Sequence, residues 1–289
     1  MTRVIFSLYI DIPKKDLDYQ KPYKGDDIPK TERTKLEFQE YYGKLLACKQ
    51  KYANDINVPF LMYEYDQDFE AYKKWWNSEY PQITEYNIVN FYKIQILDTL
   101  CRQYDEVLYL DFDVVPVTTE NFFEAHDLSK GIAIKHNNAL AKKTLEDLST
   151  ISIDSIRSPT AKYWNALAML QAGGYNHEND VYNTGIIGAS SKHIHKLNYF
   201  GNIDRHIKLM DRLINDPVYP ERIRKMFGWD NETIWSYLVK RTDVPIQFLD
   251  SEWHLFLDTY NVIPPKTKFV HVINKNFKSV FDNYETFNL

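Results

Sequence analysis

The stretch Val107–Pro116, VLYLDFDVVP, decides the fold. Val107 to Leu110 form the continuous apolar run expected of a strand buried on both faces, yet Asp111 and Asp113 interrupt its continuation. Taking an ionised carboxylate out of water is costly unless something pairs with it. Two positions apart on a strand, these side chains leave from the same face. Either the strand ends there and both carboxylates reach solvent, or they share a cation. Hard oxygen ligands of this kind suit Mg²⁺ or Mn²⁺, which bridge carboxylates to a diphosphate.

Upstream of this stretch the pattern alternates. Val4–Ile10 reads as a strand, Leu36–Tyr52 as a helix and Val58–Tyr65 as a strand. Phe69–Trp76 reads as a short helix, and Ile88–Gln103 as a helix with Ile88, Phe91, Ile94, Leu97, Leu100 and Cys101 on one face. Strand, helix, strand, helix, strand implies a mostly parallel α/β sheet of the nucleotide-binding kind. Ligands in such sheets bind at the carboxyl ends of strands, where Asp111 and Asp113 fall. Downstream, Gly131–Lys135, Val181–Ser190, "VPIQFLD" and "KFVHVIN" read as strands. Tyr163–Gln171, Ser191–Leu213 (one helix or two) and Trp229–Arg241 read as helices, the last with Asp230 or Asn231 near its N-cap. Asp11–Lys35 and His136–Lys162 are polar and read largely as loops, the latter with a short helix; both are candidate lids or acceptor surfaces.

At 289 residues the chain is within reach of one α/β domain, with residues 1–116 as the half that ends in the Asp-x-Asp and 117–289 as the half that follows it. A net charge of -5 argues against a generic polyanion surface, so nucleic acid is not favoured as a partner. No apolar run approaches the roughly 18 residues of a membrane span, and "MTRVIFSLYIDIPKK" reads as a first strand rather than a signal peptide. Cys48 and Cys101 have neither metal spacing nor the numbers for a disulfide framework, which points to two reduced thiols in helices and a cytoplasmic setting. The 22 Tyr and 6 Trp lean towards sugar or base ligands, although an A/T-rich coding sequence enriches Tyr in the same way.

A bare Asp-x-Asp is weak: about two arise by chance at this aspartate frequency. Asp16/Asp18 and Asp66/Asp68 are two others, the latter read as loop or helix-cap residues. Context is what distinguishes Asp111/Asp113. "NFYKIQILDTLCRQYDEVLYLDFDVVP" (Asn90–Pro116) resembles the centre of the GT-A glycosyltransferases, especially the glycogenin and lipopolysaccharide galactosyltransferase type, family 8. Three later segments follow in that family's order: "YNTGIIGAS" for its Asn-x-Gly strand, "WDNETIW" for its Asp-Gln helix start, and "KFVHVINKNFK" for its late His followed by Lys. Together they span roughly residues 88–278.

The resemblance implies a GT-A fold, a mixed and mostly parallel sheet flanked by helices, and a metal-dependent transfer from a UDP-sugar with retention. It makes Asp111, Asp113 and His271 ligands of Mn²⁺ or Mg²⁺, with Asp111 also reaching the ribose. Lys93 would contact donor phosphate or sugar, and Lys275 or Lys278 the β-phosphate as leaving-group charge develops. Asn183 and Asp230 would bond donor-sugar hydroxyls, with Asn231 or Glu232 near the anomeric carbon. Two departures stand out: Asn274 replaces the Gly of the family's tail, and Asn231 replaces the Gln of its Asp-Gln pair.

Each residue also has a plainer reading. His271 alone is a core histidine, Asp230 a helix cap, Asn183 a turn or bulge residue, and Lys93 a lysine reaching the surface. His193 and His195 read as solvent-facing, and Trp75-Trp76 as core or subunit contact. An inverting enzyme would need a carboxylate base, for which Glu232 and Asp250 are the candidates. Two other classes compete. A sugar-nucleotide pyrophosphorylase expects a Gly-rich loop after its first strand, where "SLYIDIPKKD" has no Gly; a non-catalytic binding protein of the same fold would be expected to have lost a ligand.

Overall fold

In the computed structural model, the described residues are 1–13, 28–137, 158–175, 180–218, 221–224, 228–257, 262–282 and 284. Asp16/Asp18 and most of the two polar segments lie outside them. The chain opens with β1 (Arg3–Leu8), α1 (Lys30–Asp55), β2 (Phe60–Tyr63), α2 (Gln67–Glu79), α3 (Glu85–Leu100) and β3 (Glu106–Leu110). β4 (Val114–Pro116), α4 (Phe122–Ala125), β5 (Ile132–His136), α5 (Ser158–Ala172), β6 (Tyr182–Ser190), α6 (Ser191–Leu197) and α7 (Ile203–Ile214) follow. The remainder is α8 (Glu221–Arg224), α9 (Asn231–Thr242), β7 (Ile246–Phe248), β8 (Leu255–Phe256), β9 (Phe269–His271) and α10 (Phe277–Phe281).

Six strands form one sheet in the order β2-β1-β3-β6-β5-β7. β6 alone among them runs antiparallel to its neighbours, and every other pairing is parallel. The expected mixed, mostly parallel sheet flanked by helices is the one observed. Its period-two alternation divides the apolar side chains between two layers. Val4, Phe6, Val107, Tyr109, Ile132 and Ile134 face a core completed by α2, α3, α5, α6, α7 and α9. Ile5, Leu108, Leu110, Ala133 and Ile186 face α1, α4 and the second sheet. Both faces are therefore dry, which is why the central strands read as unbroken apolar runs. Trp76 stacks on Phe91 at 4.7 Å in this core, whereas Trp75 stays 45% exposed. Cys48 and Cys101 are buried free thiols.

The quoted stretch is not one strand. β3 ends at Leu110, the Val114 N–H donates to the Asp111 carbonyl at 2.9 Å across a turn, and the chain leaves the main sheet. β4 then joins a three-stranded sheet, β4-β9-β8. The alternation of apolar Phe112 and Val114 conceals this corner in the sequence. Polar helix starts are capped as expected: Asp66 accepts from the Phe69 N–H at 2.8 Å, and Asp230 from the Thr233 N–H at 2.9 Å. No described helix is long and apolar enough to cross a membrane. His193 corrects its sequence reading. It is 2% exposed beside Ile194 on the inner face of α6, with Nδ1 3.0 Å from the Ser190 hydroxyl.

Candidate metal centre

The corner after β3 is where distant residues converge. β4 and β9 pair antiparallel with Val114 opposite His271, and the Val272 N–H donates to the Asp113 carbonyl at 2.9 Å. This register delivers His271 to Asp113, Nε2 to Oδ1 at 3.4 Å. From the other side the Asp111 N–H donates to the Gly185 carbonyl at 2.7 Å, fastening the corner to β6. The β5–β6 pairing shifts register between Ile134, opposite Ile187, and Lys135, opposite Asn183. A Cβ on Gly185 would sit 2.4 Å from His271 Cε1, so glycine is required by close approach rather than by turn geometry.

One ligand atom each from Asp111, Asp113 and His271 lie within 4.8 Å of one another, two oxygens and a nitrogen. That donor set fits a divalent cation of the Mg²⁺ or Mn²⁺ kind. The protein's own cations surround it. Lys93 donates to Asp111 Oδ1 at 3.2 Å, and the Tyr109 hydroxyl donates to the same oxygen. Lys275 donates to Asp113 Oδ2. Burial opposes ionisation of Asp113, but Lys275 and then His271 outweigh it and hold the carboxyl well below its usual range. Asp113 is 5% exposed and does not reach solvent, so its charge is met by an ammonium and an imidazole.

Lys275 adopts φ +60°, a left-handed backbone that costs energy for any residue but glycine or asparagine. The special conformation therefore falls one residue after Asn274, whose side chain instead accepts from the Asn276 N–H at 3.1 Å. Lys278 stands apart, 71% exposed and ion-paired with Asp282.

The start of α9 forms an adjoining cluster. Glu232, 6% exposed, accepts from the Thr184 N–H at 2.8 Å, from the Thr184 hydroxyl at 3.2 Å and from Lys162 on α5. Burial would raise its pKa, but Lys162 above all keeps it low, so Glu232 is a committed anion. Asn231 donates to Thr184 Oγ1 at 2.8 Å. Asp230 is both the N-cap of α9 and a carboxyl whose pKa is raised by burial. Asn183 turns its side chain back to the Gly185 N–H at 3.0 Å. Asp250, the other carboxylate considered as a base, is exposed and caps the Glu252 and Trp253 N–H groups at 2.9 and 3.0 Å.

Three residues here carried no sequence signal. Lys49 on α1 is fully buried and donates to the Phe112 carbonyl at 2.8 Å and the Leu45 carbonyl at 3.2 Å, holding the corner between the two aspartates. Burial pushes its pKa down. Lys162 was read only as the edge of a polar segment. His254, fully buried, places Nε2 3.0 Å from His271 Nδ1; burial, then the charges of His271 and Lys135, hold it well below the usual imidazole value, so it is a neutral ring.

Gly185→Ala is expected to displace the His271 ring and weaken divalent-metal binding roughly tenfold or more. Gly43→Ala, with nothing within 4 Å of the added carbon on α1, is the matched control and should leave binding unchanged. Titration of both variants with Mn²⁺ decides this, and equal affinities would exclude close approach as the reason for Gly185.

No family model and no curated protein sequence matches the chain. Solved structures do. One is a glycosyltransferase involved in the glycosylation of the major capsid of PBCV-1, with 13% identity, full coverage of both chains and a TM-score of 0.48. Another is the galactosyltransferase LgtC in complex with donor and acceptor sugar analogues, with 10% identity, 99% of this chain and 95% of that one covered, and a TM-score of 0.47. A third is the WbbM bifunctional glycosyltransferase, with 14% identity, 94% and 45% covered, and a TM-score of 0.43. At these identities and TM-scores the likeness carries nothing about substrate or chemistry, which rest on the residues of the site.

Proposed function

We propose that this chain is a metal-dependent glycosyltransferase that moves a sugar from a nucleotide-sugar donor to a hydroxyl acceptor. The observation that carries the reading is the convergence, at the carboxyl end of β3, of Asp111, Asp113 and His271 with Lys93 and Lys275. A site built only to bind a cation has no use for ammonium groups among its ligands. One built for a cation and a diphosphate together needs both signs at close quarters. The four motifs in family order support the same reading.

Asp111, Asp113 and His271 would hold Mn²⁺ or Mg²⁺, and a cation there supplies Lewis-acid charge against the departing diphosphate. Lys275 exchanges Asp113 for a β-phosphate oxygen and stabilises the leaving group's charge; Lys93 contributes to the donor side. Lys278, exposed and paired with Asp282, is left out of this role. Asp230 and Asn183 bond donor-sugar hydroxyls, with Asn231 beside them. Retention is favoured because Glu232 is locked by Lys162 and Thr184 and Asp250 caps an exposed turn, which leaves neither well suited to act as a base. We assign UDP as the donor nucleotide, Mn²⁺ as the metal and the cytoplasm as the setting, the last consistent with two buried free thiols.

The test needs no acceptor. Incubation with a panel of UDP- and GDP-sugars should release nucleoside diphosphate slowly from one donor with Mn²⁺ and from none with EDTA. Absence of release from every donor, together with absence of donor-induced thermal stabilisation, would sink the proposal.

A further inference from the structure

His271 is held by a second histidine, and the way it is held sets which nitrogen can bind metal. His254 lies just before β8, where its N–H donates to the Asp250 carbonyl at 3.0 Å. β8 runs parallel to β9 with Phe256 opposite His271. The two imidazoles stack at 5.2 Å and 28°, and Phe256 contacts both rings at 4.7 and 5.7 Å. His254 is fully buried, its carbonyl accepts from Lys135 at 2.7 Å, and its Nε2 meets His271 Nδ1 at 3.0 Å. Among the described residues its own Nδ1 has no hydrogen-bond partner.

Leaving a buried ring nitrogen unsatisfied costs about 1–3 kcal/mol, so an apolar residue would serve a packing role better. The polar ring is explained by what it does to its neighbour. His271 turns Nε2 towards Asp113, and a lone pair there is available to a cation only when the ring proton sits on Nδ1. That proton then needs an acceptor. Metal-ligating histidines almost always donate their other N–H to such a group, usually a carboxylate or a carbonyl. Here the only side-chain atom bonded to His271 Nδ1 among the described residues is His254 Nε2.

We infer that His254 is a positioning residue for the metal centre: its Nε2 accepts the Nδ1 proton of His271, fixing the tautomer and ring plane that present Nε2 to the cation. The inference rests on the metal-dependent reading above. In the metal-competent arrangement His254 carries its own proton on the unpartnered Nδ1.

The experiment is Mn²⁺ titration of the full chain, followed by the electron paramagnetic resonance signal of free Mn²⁺, on wild type, His254→Leu and His254→Gln. Leucine should weaken binding by about 10–100-fold. Glutamine, whose Oε1 can stand near the place of Nε2 and accept the same proton, should restore it to within a few-fold. Should the leucine variant fail to fold, nitrogen NMR of histidine-labelled wild type with diamagnetic Mg²⁺ supplies the second reading: His271 should carry its proton on Nδ1. Wild-type affinity in the leucine variant, or a proton on Nε2 of His271 in the Mg²⁺-bound protein, overturns the role of His254 and leaves the metal site standing. No Mn²⁺ binding by wild type overturns the metal reading itself, and this inference with it.

Discussion

Asp113→Asn is expected to lower Mn²⁺-dependent release of nucleoside diphosphate by about 10³-fold, the equivalent of several kcal/mol of leaving-group stabilisation. The substitution is nearly isosteric and leaves β4 and β9 in register, because that pairing uses the Asp113 carbonyl and not its side chain. It removes the more buried carboxylate of the candidate metal set and leaves the Lys275 ammonium without its anionic partner. The Lys275 side chain is 20% exposed and can turn towards water, which keeps the stability loss to about 1–3 kcal/mol. Loss of activity should therefore far exceed loss of structure. The measurements are initial rates against Mn²⁺ concentration and the thermal midpoint by circular dichroism. Activity within tenfold of wild type at saturating Mn²⁺ would remove Asp113 from the mechanism.

The half of the site that lies on one strand end was legible in the sequence, because two carboxylates at the end of an apolar run demand compensation. The corner between them was not. Phe112 and Val114 extend the apolar alternation, and only pairing with β9 reveals that the chain changes sheets. His271 was placed by motif order alone. Its delivery to Asp113 depends on a strand of three residues, too short to carry a periodic signal. Lys49 and Lys162 show a second limit. A lysine on a polar-looking helix reads as surface, and its burial is decided by whichever distant group receives the ammonium, a carbonyl of the corner for Lys49 and Glu232 for Lys162. Asp230 was legible as a cap because capping is local. Glu232 was singled out, with Asn231, through the family motif for a place near the anomeric carbon; its partners Thr184 and Lys162 carried no sequence signal. His193 read as solvent-facing in the sequence, whereas α6 buries it together with Ile194 and Leu197.

The bonds to Thr184 and Lys162 make Glu232 a position where loss of the carboxylate should lower stability. Its carboxylate joins α9, β6 and α5: it accepts two bonds from Thr184 and one from Lys162. Glu232→Leu fills the same space but removes the partner of Lys162, whose side chain is 23% exposed and can turn towards water, and strands the buried Thr184 N–H; it is expected to cost about 1–3 kcal/mol at neutral pH. The sign of the pH dependence follows from the lowered pKa. A carboxyl depressed on folding contributes stability that is complete above its unfolded value, about 4.3 for glutamate, and is lost as pH falls through the folded one. The gap between wild type and variant should therefore be constant from pH 7 to about 5 and narrow below about 4. In acid, wild type also leaves Lys162 without an anionic partner. Urea unfolding of both proteins across that range measures the gap directly. A gap that is flat with pH, or smaller than about 1 kcal/mol at pH 7, would show that the ion pair does not hold α9 to the sheet. It would also return Glu232 to consideration as a group free to act on the substrate.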